Sequence, residues 1–113
     1  MAKVVHREAG SEPRKGQLAV AQTLLNRIRS GRFAKTICGV ANQRGQYFNT
    51  TRYNPPRNTP IWKAAVAVTQ QALDERTPEV VPGAMYFRAV YASNSGLRNR
   101  TPAGKVGLHI FYR

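Results

Sequence analysis

The sequence predicts a small α+β domain in which helices come first and a small antiparallel sheet closes the chain. Apolar residues recur at helical spacing between Arg14 and Ser30, and again between Pro60 and Arg76. Aromatic and β-branched residues crowd residues 84–90, and apolar residues alternate from Val106 to Tyr112, which is strand patterning. At 113 residues the chain is expected to form one domain over residues 1–113, long enough to bury a core.

The run Ala2–Ala9 reads as the last turns of a short helix, broken by Gly10 and Ser11. Pro13 suits the first turn of the next helix, with Ser11 as its cap. Leu18, Ala21, Leu25 and Ile28 then form an apolar stripe that Val20 and Leu24 widen, and Gly31 is a natural stop. A short helix is expected over Thr36–Asn42, followed by Gln43–Phe48 and a proline-rich loop over Asn49–Pro60. Thr59 and Pro60 open the second long helix, with Ile61, Ala65, Val68 and Ala72 on one face, joined by Trp62, Val66 and Leu73. Pro78 and Pro82-Gly83 end it and set a turn. One strand is expected over Ala84–Val90, a polar loop over Ser93–Gly104, and one strand over Val106–Tyr112. In that last strand His109 points away from Leu108 and Ile110.

Eighteen Lys and Arg face five Asp and Glu, a formal net charge of +13. A surplus this large implies a polyanionic partner or surface: nucleic acid, acidic lipid or the anionic bacterial envelope. Charge alone does not choose among them, and the bases form no block, so most of them read as a solvated surface. No apolar run approaches the ~20 residues that span a bilayer. Met1–Arg7 is too short and polar for a signal peptide, so an exported protein would need its export segment from elsewhere. Cys38 is the lone cysteine, which excludes an intrachain disulfide and reads as a buried structural thiol. With two histidines and no cysteine cluster, neither a metal site nor a cofactor is expected.

Five carboxylates make the search for chemistry short. Glu8 follows Val4 and Val5 where the first helix breaks, so a dry cleft there would raise its pKa and suit it to general acid work. The competing reading is a surface glutamate paired with Lys3 or Arg7. Glu12 reads as a residue at the start of the next helix, favourable to its dipole. Asp74 and Glu75 read as exposed helix-end acids, either of which could approach Glu8 in space.

The run Val5–Ala21, with Leu25-Asn26-Arg27, resembles the opening signature of the SleB/CwlJ-type cell wall hydrolases: Glu-Ala-Arg-Gly-Glu-Pro, a short gap, Gly-Gln-x-Ala-Val-Ala, then Leu-Asn-Arg. The likeness continues through Ser30–Phe33, Thr36–Val40, Gln43–Phe48, Pro82–Phe87 and Gly107–Tyr112, most of the chain and in the family's order. The resemblance implies a small lysozyme-like, SleB-like domain that cleaves peptidoglycan glycan strands. It places the catalytic acid, the first glutamate of the signature, on Glu8. The sparse acids suit a lytic transglycosylase, in which one carboxyl acts first as acid and then as base, whereas an ordinary glycosidase needs two carboxylates. Gln46, Phe48, Tyr86, Phe87 and His109 are the candidate substrate contacts, since aromatic faces stack on sugars and polar groups bond hydroxyls and acetamides. For Phe48, Tyr86 and Phe87 an ordinary core role is the even alternative, and for His109 a structural one. Gly10-Ser11 stands where the family has Arg-Gly, and Tyr47 adds an aromatic before Phe48.

Three other readings stay open at this level. One is muramidase-type hydrolysis with a second carboxylate. Another is a basic nucleic-acid-binding module, although no helix-turn-helix, RNP or zinc-finger pattern is present and no nucleic acid is expected. The last is a wall-binding module without catalysis. The partners implied are peptidoglycan and anionic envelope polymers, acting on a monomer that is periplasmic, secreted or wall-associated.

Overall fold

The computed structural model describes residues 1–31, 53–74, 76–93 and 95–113. The expected helix over Thr36–Asn42, Cys38 and the segment Gln43–Phe48 lie outside these residues. Three helices come first: α1 (Ala2–Ala9), α2 (Arg14–Ser30) and α3 (Pro60–Asp74). Three strands follow, β1 (Tyr86–Ala89), β2 (Pro102–Val106) and β3 (His109–Tyr112), with a 3-10 turn at Ser95–Leu97. The sheet is antiparallel throughout, in the order β1-β3-β2.

Helix α2 is the centre. Residues 16–25 are buried on every side, because α1 and α3 cover one flank and the sheet approaches the other. Val4, Val5, Val20, Leu24, Val68 and Phe111 are fully buried and join these layers into one core. Burial all round explains why α2 hides polar side chains that an amphipathic pattern does not foresee, and each has a partner. Gln22 accepts from Val80 N–H at 2.9 Å and donates to Pro78 O at 3.3 Å. Asn26 donates to Ala84 O at 3.0 Å, and the Arg27 Nε–H to Met85 O at 2.6 Å. Three consecutive polar grips from α2 thus hold residues 78–85 and place β1.

The ends of the helices follow local chemistry. Gly31 closes α2 at φ 72°, its N–H reaching Ile28 O. Thr59 caps α3 through Oγ1, which accepts from Trp62 N–H at 3.2 Å, and Pro60 takes the first helical position. Ser11 does not cap α2: Pro13 takes the cap position and no side chain caps it. Helix α3 ends at Asp74, short of Arg76. Its buried face is Trp62, Ala65, Val68 and Ala72, whereas Ile61, Val66 and Leu73 are 49%, 42% and 40% exposed, so the face is rotated from the expected one.

The expected last strand is a hairpin. Gly107 takes φ 56°, a conformation that glycine adopts without strain, and a two-residue turn joins β2 to β3 with Val106 facing His109. Strand β2 therefore occupies residues expected partly as loop. Alternation alone does not separate one long strand from two short ones, and the buried phase is His109 and Phe111 rather than Leu108 and Ile110. Strand β1 is shorter than Ala84–Val90, though Met85 N–H pairs with Tyr112 O and Val90 N–H with Leu108 O, both at 2.8 Å, beyond its ends.

The rotated face of α3 makes a clean test within one residue type. Val68→Ala is expected to cost about 2 kcal/mol in urea unfolding, and Val66→Ala about 0.5 kcal/mol or less.

Candidate active site

Helical geometry places Glu8 inward. It lies four residues after Val4 and three after Val5, both fully buried, so its side chain shares their core-facing stripe. Gly10 ends the helix where space is short: a Cβ there would lie 2.3 Å from His6 O and 3.2 Å from Ile61 Cγ2. The Glu8 carboxyl is consequently partly buried at the end of α1, and it makes no ion pair among the described residues. Burial raises its pKa above the usual carboxylate value, while the charges of His109 and Arg7 pull part of the way back. The ion pair with Lys3 or Arg7 weighed from the sequence is not formed. Lys3 bonds Asn54 at 3.1 Å, and the Arg7 guanidinium lies over the Tyr53 ring at 5.7 Å.

His109 comes from the other end of the chain, as the first residue of β3, and it is 4% exposed. Its Nδ1 lies 3.2 Å from Glu12 Oε1, and the same oxygen accepts from Leu108 N–H at 2.6 Å. Phe87 meets the imidazole edge-on at 5.4 Å, and Phe111 packs against Phe87 at 5.9 Å. Of the predicted contacts, the fold gathers Glu8, His109 and Phe87 in one neighbourhood. Tyr86, one residue along β1, faces the opposite way, with the guanidiniums of Arg27 and Arg100 over its ring at 5.0 and 4.5 Å. Gln46 and Phe48 lie outside the described residues.

Two members of this neighbourhood escaped sequence reasoning. Glu12, expected to serve the start of α2, instead crosses to the β2–β3 turn. Gln17, 3% exposed, donates to Glu12 O at 3.2 Å and Gly10 O at 3.4 Å, fixing the turn from which Glu12 projects. The signal for Glu12 was its spacing from Glu8 across a glycine break, which points two carboxyls to one region without a shared helix. Beside α1, His6 Nδ1 lies 2.6 Å from Tyr53 Oη and the ring packs on Trp62, so His6 is engaged away from Glu8.

The remaining acids are elsewhere. Asp74 is thirteen residues along α3 from Ile61, which approaches Gly10, so it stands about 20 Å further down the axis. Glu79 accepts from Gly83 N–H at 2.7 Å, and Glu75 lies outside the described residues. Among the described residues no three His, Cys, Asp or Glu side chains converge in a way that could hold a metal ion. A cavity of about 290 Å³ lies between the far halves of α2 and α3, walled by Gln22, Asn26, Arg29, Thr77 and Glu79. Neither Glu8 nor His109 lines it.

Residues 11–112 match the family model for Cell Wall Hydrolase. Two curated relatives, both spore cortex-lytic enzymes, are 29% identical over 114 residues (Oceanobacillus iheyensis) and 32% identical over 111 residues (Bacillus cereus). The family match starts just after Glu8, whereas these alignments span 98% of the chain and so extend over it. They cover 39% and 42% of the relatives, so the chain spans about two fifths of their length. Two solved structures share the fold over the whole chain. The catalytic domain of the germination-specific lytic transglycosylase SleB from Bacillus anthracis has TM-score 0.78 at 26% identity, with 90% of that chain covered. The catalytic domain of Bacillus cereus SleB has TM-score 0.77 at 28% identity, with 86% covered.

A glutamate whose pKa is raised by folding destabilises the native state wherever the unfolded chain would ionise it. That cost is absent below the ordinary carboxylate pKa and grows as pH rises through it. Glu8→Gln is therefore expected to raise the melting temperature at pH 7, and the gain should vanish in acid, where Glu8 is protonated in both states.

Proposed function

The chain belongs to the cell wall hydrolase family, and we propose that residues 1–113 form a catalytic domain that cuts peptidoglycan glycan strands by lytic transglycosylation. The observation that carries this reading is Glu8: a carboxyl on the core-facing stripe of α1, partly buried, with a raised pKa. The two solved SleB domains, one of them described as a lytic transglycosylase, support the same reaction class.

A carboxyl whose pKa is raised stays protonated at pH values where bulk carboxylates have ionised, and can donate a proton there. Glu8 gives its proton to the glycosidic oxygen, and the bond from that oxygen to C1 of the muramic residue breaks. The C6 hydroxyl of the same residue then closes on C1 while the Glu8 carboxylate takes the hydroxyl proton. The product is a 1,6-anhydro ring, Glu8 ends protonated as it began, and no water is consumed. The distance of Asp74 and the engagement of Glu12 and Glu79 favour this one-carboxylate route over hydrolysis with a second acid. His109, whose charge acts on Glu8, packs edge-on against Phe87, and both serve as substrate contacts in this reading. The substrate places the site of action outside the cytoplasm, at the wall, where the positive surplus of +13 favours contact with an anionic envelope.

Digestion of purified sacculi followed by mass spectrometry tests the reading. Wild type should release fragments ending in anhydro-muramic acid, and Glu8→Gln should lower their yield by about 10²–10⁴-fold. Reducing ends from wild type would mean that water, not the C6 hydroxyl, attacks C1. Because the acid must be protonated to begin, activity should fall as pH rises through the raised pKa of Glu8, placing the alkaline limb above the ordinary carboxylate range.

A further inference from the structure

We propose that Tyr91 is a further substrate contact, a stacking platform for a sugar of the glycan strand away from the bond that breaks. The inference rests on the proposed cleavage of peptidoglycan through Glu8 and adds to it a place where a neighbouring sugar is held.

Among the described residues Tyr91 is the most exposed large hydrophobic side chain, at 84%. It stands in the chain reversal that ends β1. There Ala92 N–H donates to Ala89 O at 3.0 Å, which leaves Val90 and Tyr91 at the two central positions of a turn. Arg88, inside β1, clasps that turn. Its Nη1 donates to the carbonyls of Ala89, Val90 and Ala92 at 3.2, 3.3 and 3.1 Å, and its Nε to Tyr112 Oη at 2.9 Å. Tyr112 is buried in β3, so the clasp is itself anchored in the sheet.

An exposed turn can leave such carbonyls to water. Here one guanidinium takes carbonyls on both sides of Tyr91, so the backbone beneath an exposed ring is fixed before any ligand arrives. A tyrosine on a fixed backbone has only two side-chain torsions left to lose, so little entropy opposes contact. The phenol offers a flat apolar face to the C–H groups of a sugar ring and a hydroxyl to its acetamide or hydroxyl groups.

The turn is tied to the end of the molecule where Glu8 lies. Val90 N–H donates to Leu108 O at 2.8 Å, Leu108 N–H to Glu12 Oε1 at 2.6 Å, and Glu12 N–H to Ala9 O at 3.0 Å. Ala9 follows Glu8, so a run of bonded neighbours joins the two residues over a path of at most about 25 Å. Leu108, itself exposed, lies on that path. A glycan strand is an extended polymer that continues on both sides of the reacting bond, so a ring at this range is within reach of the same strand.

The test titrates a soluble tetrasaccharide of alternating N-acetylglucosamine and N-acetylmuramic acid, without stem peptides, into Glu8→Gln protein, which leaves the ligand uncut. High salt screens the +13 surplus. Adding Tyr91→Ala should raise Kd about 3-fold to 10-fold, whereas Tyr91→Phe should keep most of the affinity because the ring face survives. The Tyr91 ring protons should shift during the titration. Exposure of the side chain means that Tyr91→Ala folds as its parent does. Equal affinity of Tyr91→Ala and its parent, an unmoved ring, or no binding of the tetrasaccharide overturns the proposal. Failure of the reading of Glu8 looks different: wild-type protein would leave sacculi intact or Glu8→Gln would retain turnover, while the Tyr91→Ala difference in binding would persist.

Discussion

The contact between the Glu12 carboxylate and the β2–β3 turn holds the two halves of the molecule in register. Helices α1 and α2 could pack on α3 without it, and the hairpin could pair with β1 without it. Neither would then bring His109 to the end of α1. One buried oxygen accepting from a main-chain N–H and facing a ring nitrogen ties the start of β3 to the α1–α2 turn, beside the core contacts that place the sheet. Gly107 is required twice over, by its left-handed φ and by the closeness of the carboxylate. The buried Gln17 amide, reaching two carbonyls of the α1–α2 turn, extends the same constraint back to the helix that carries Glu8.

The chain is unusually basic, yet two of its five acids are withdrawn from the surface into one neighbourhood. Their environments differ. Glu12 faces hydrogen-bond donors, which suit a carboxylate. Glu8 shares its stripe with Val4 and Val5 and has no ion-pair partner among the described residues, which suits a carboxylic acid. Two glutamates four residues apart thus sit in different settings, one with its pKa raised by burial and the other held by a main-chain N–H and a ring nitrogen.

Much of this was legible in the sequence, and the reasons are local. Thr59-Pro60 and Gly31 carry their own start and stop signals, so the long helices could be bounded within a residue or two. Position made Glu8 only a candidate beside a surface ion pair, and the likeness of the opening run to the family signature is what singled it out. What could not be read depends on tertiary contact. The hairpin at Gly107 looks like one strand because alternation continues through the turn. The rotation of α3 by which Ile61 gives way to Trp62 is set by packing against α1 and α2, not by the apolar pattern itself. Glu12 was the largest omission: its partners lie 96 and 97 residues away, and no local rule reaches that far.

That sequence separation has a consequence for how activity arises. The acid is near one end of the described chain and its companion ring near the other, and no shorter piece contains both. Until the core closes around α1, Glu8 is a solvated glutamate without the burial that raises its pKa. With Glu8 read as the acid, competence becomes a cooperative property of the closed core, lost when those layers open.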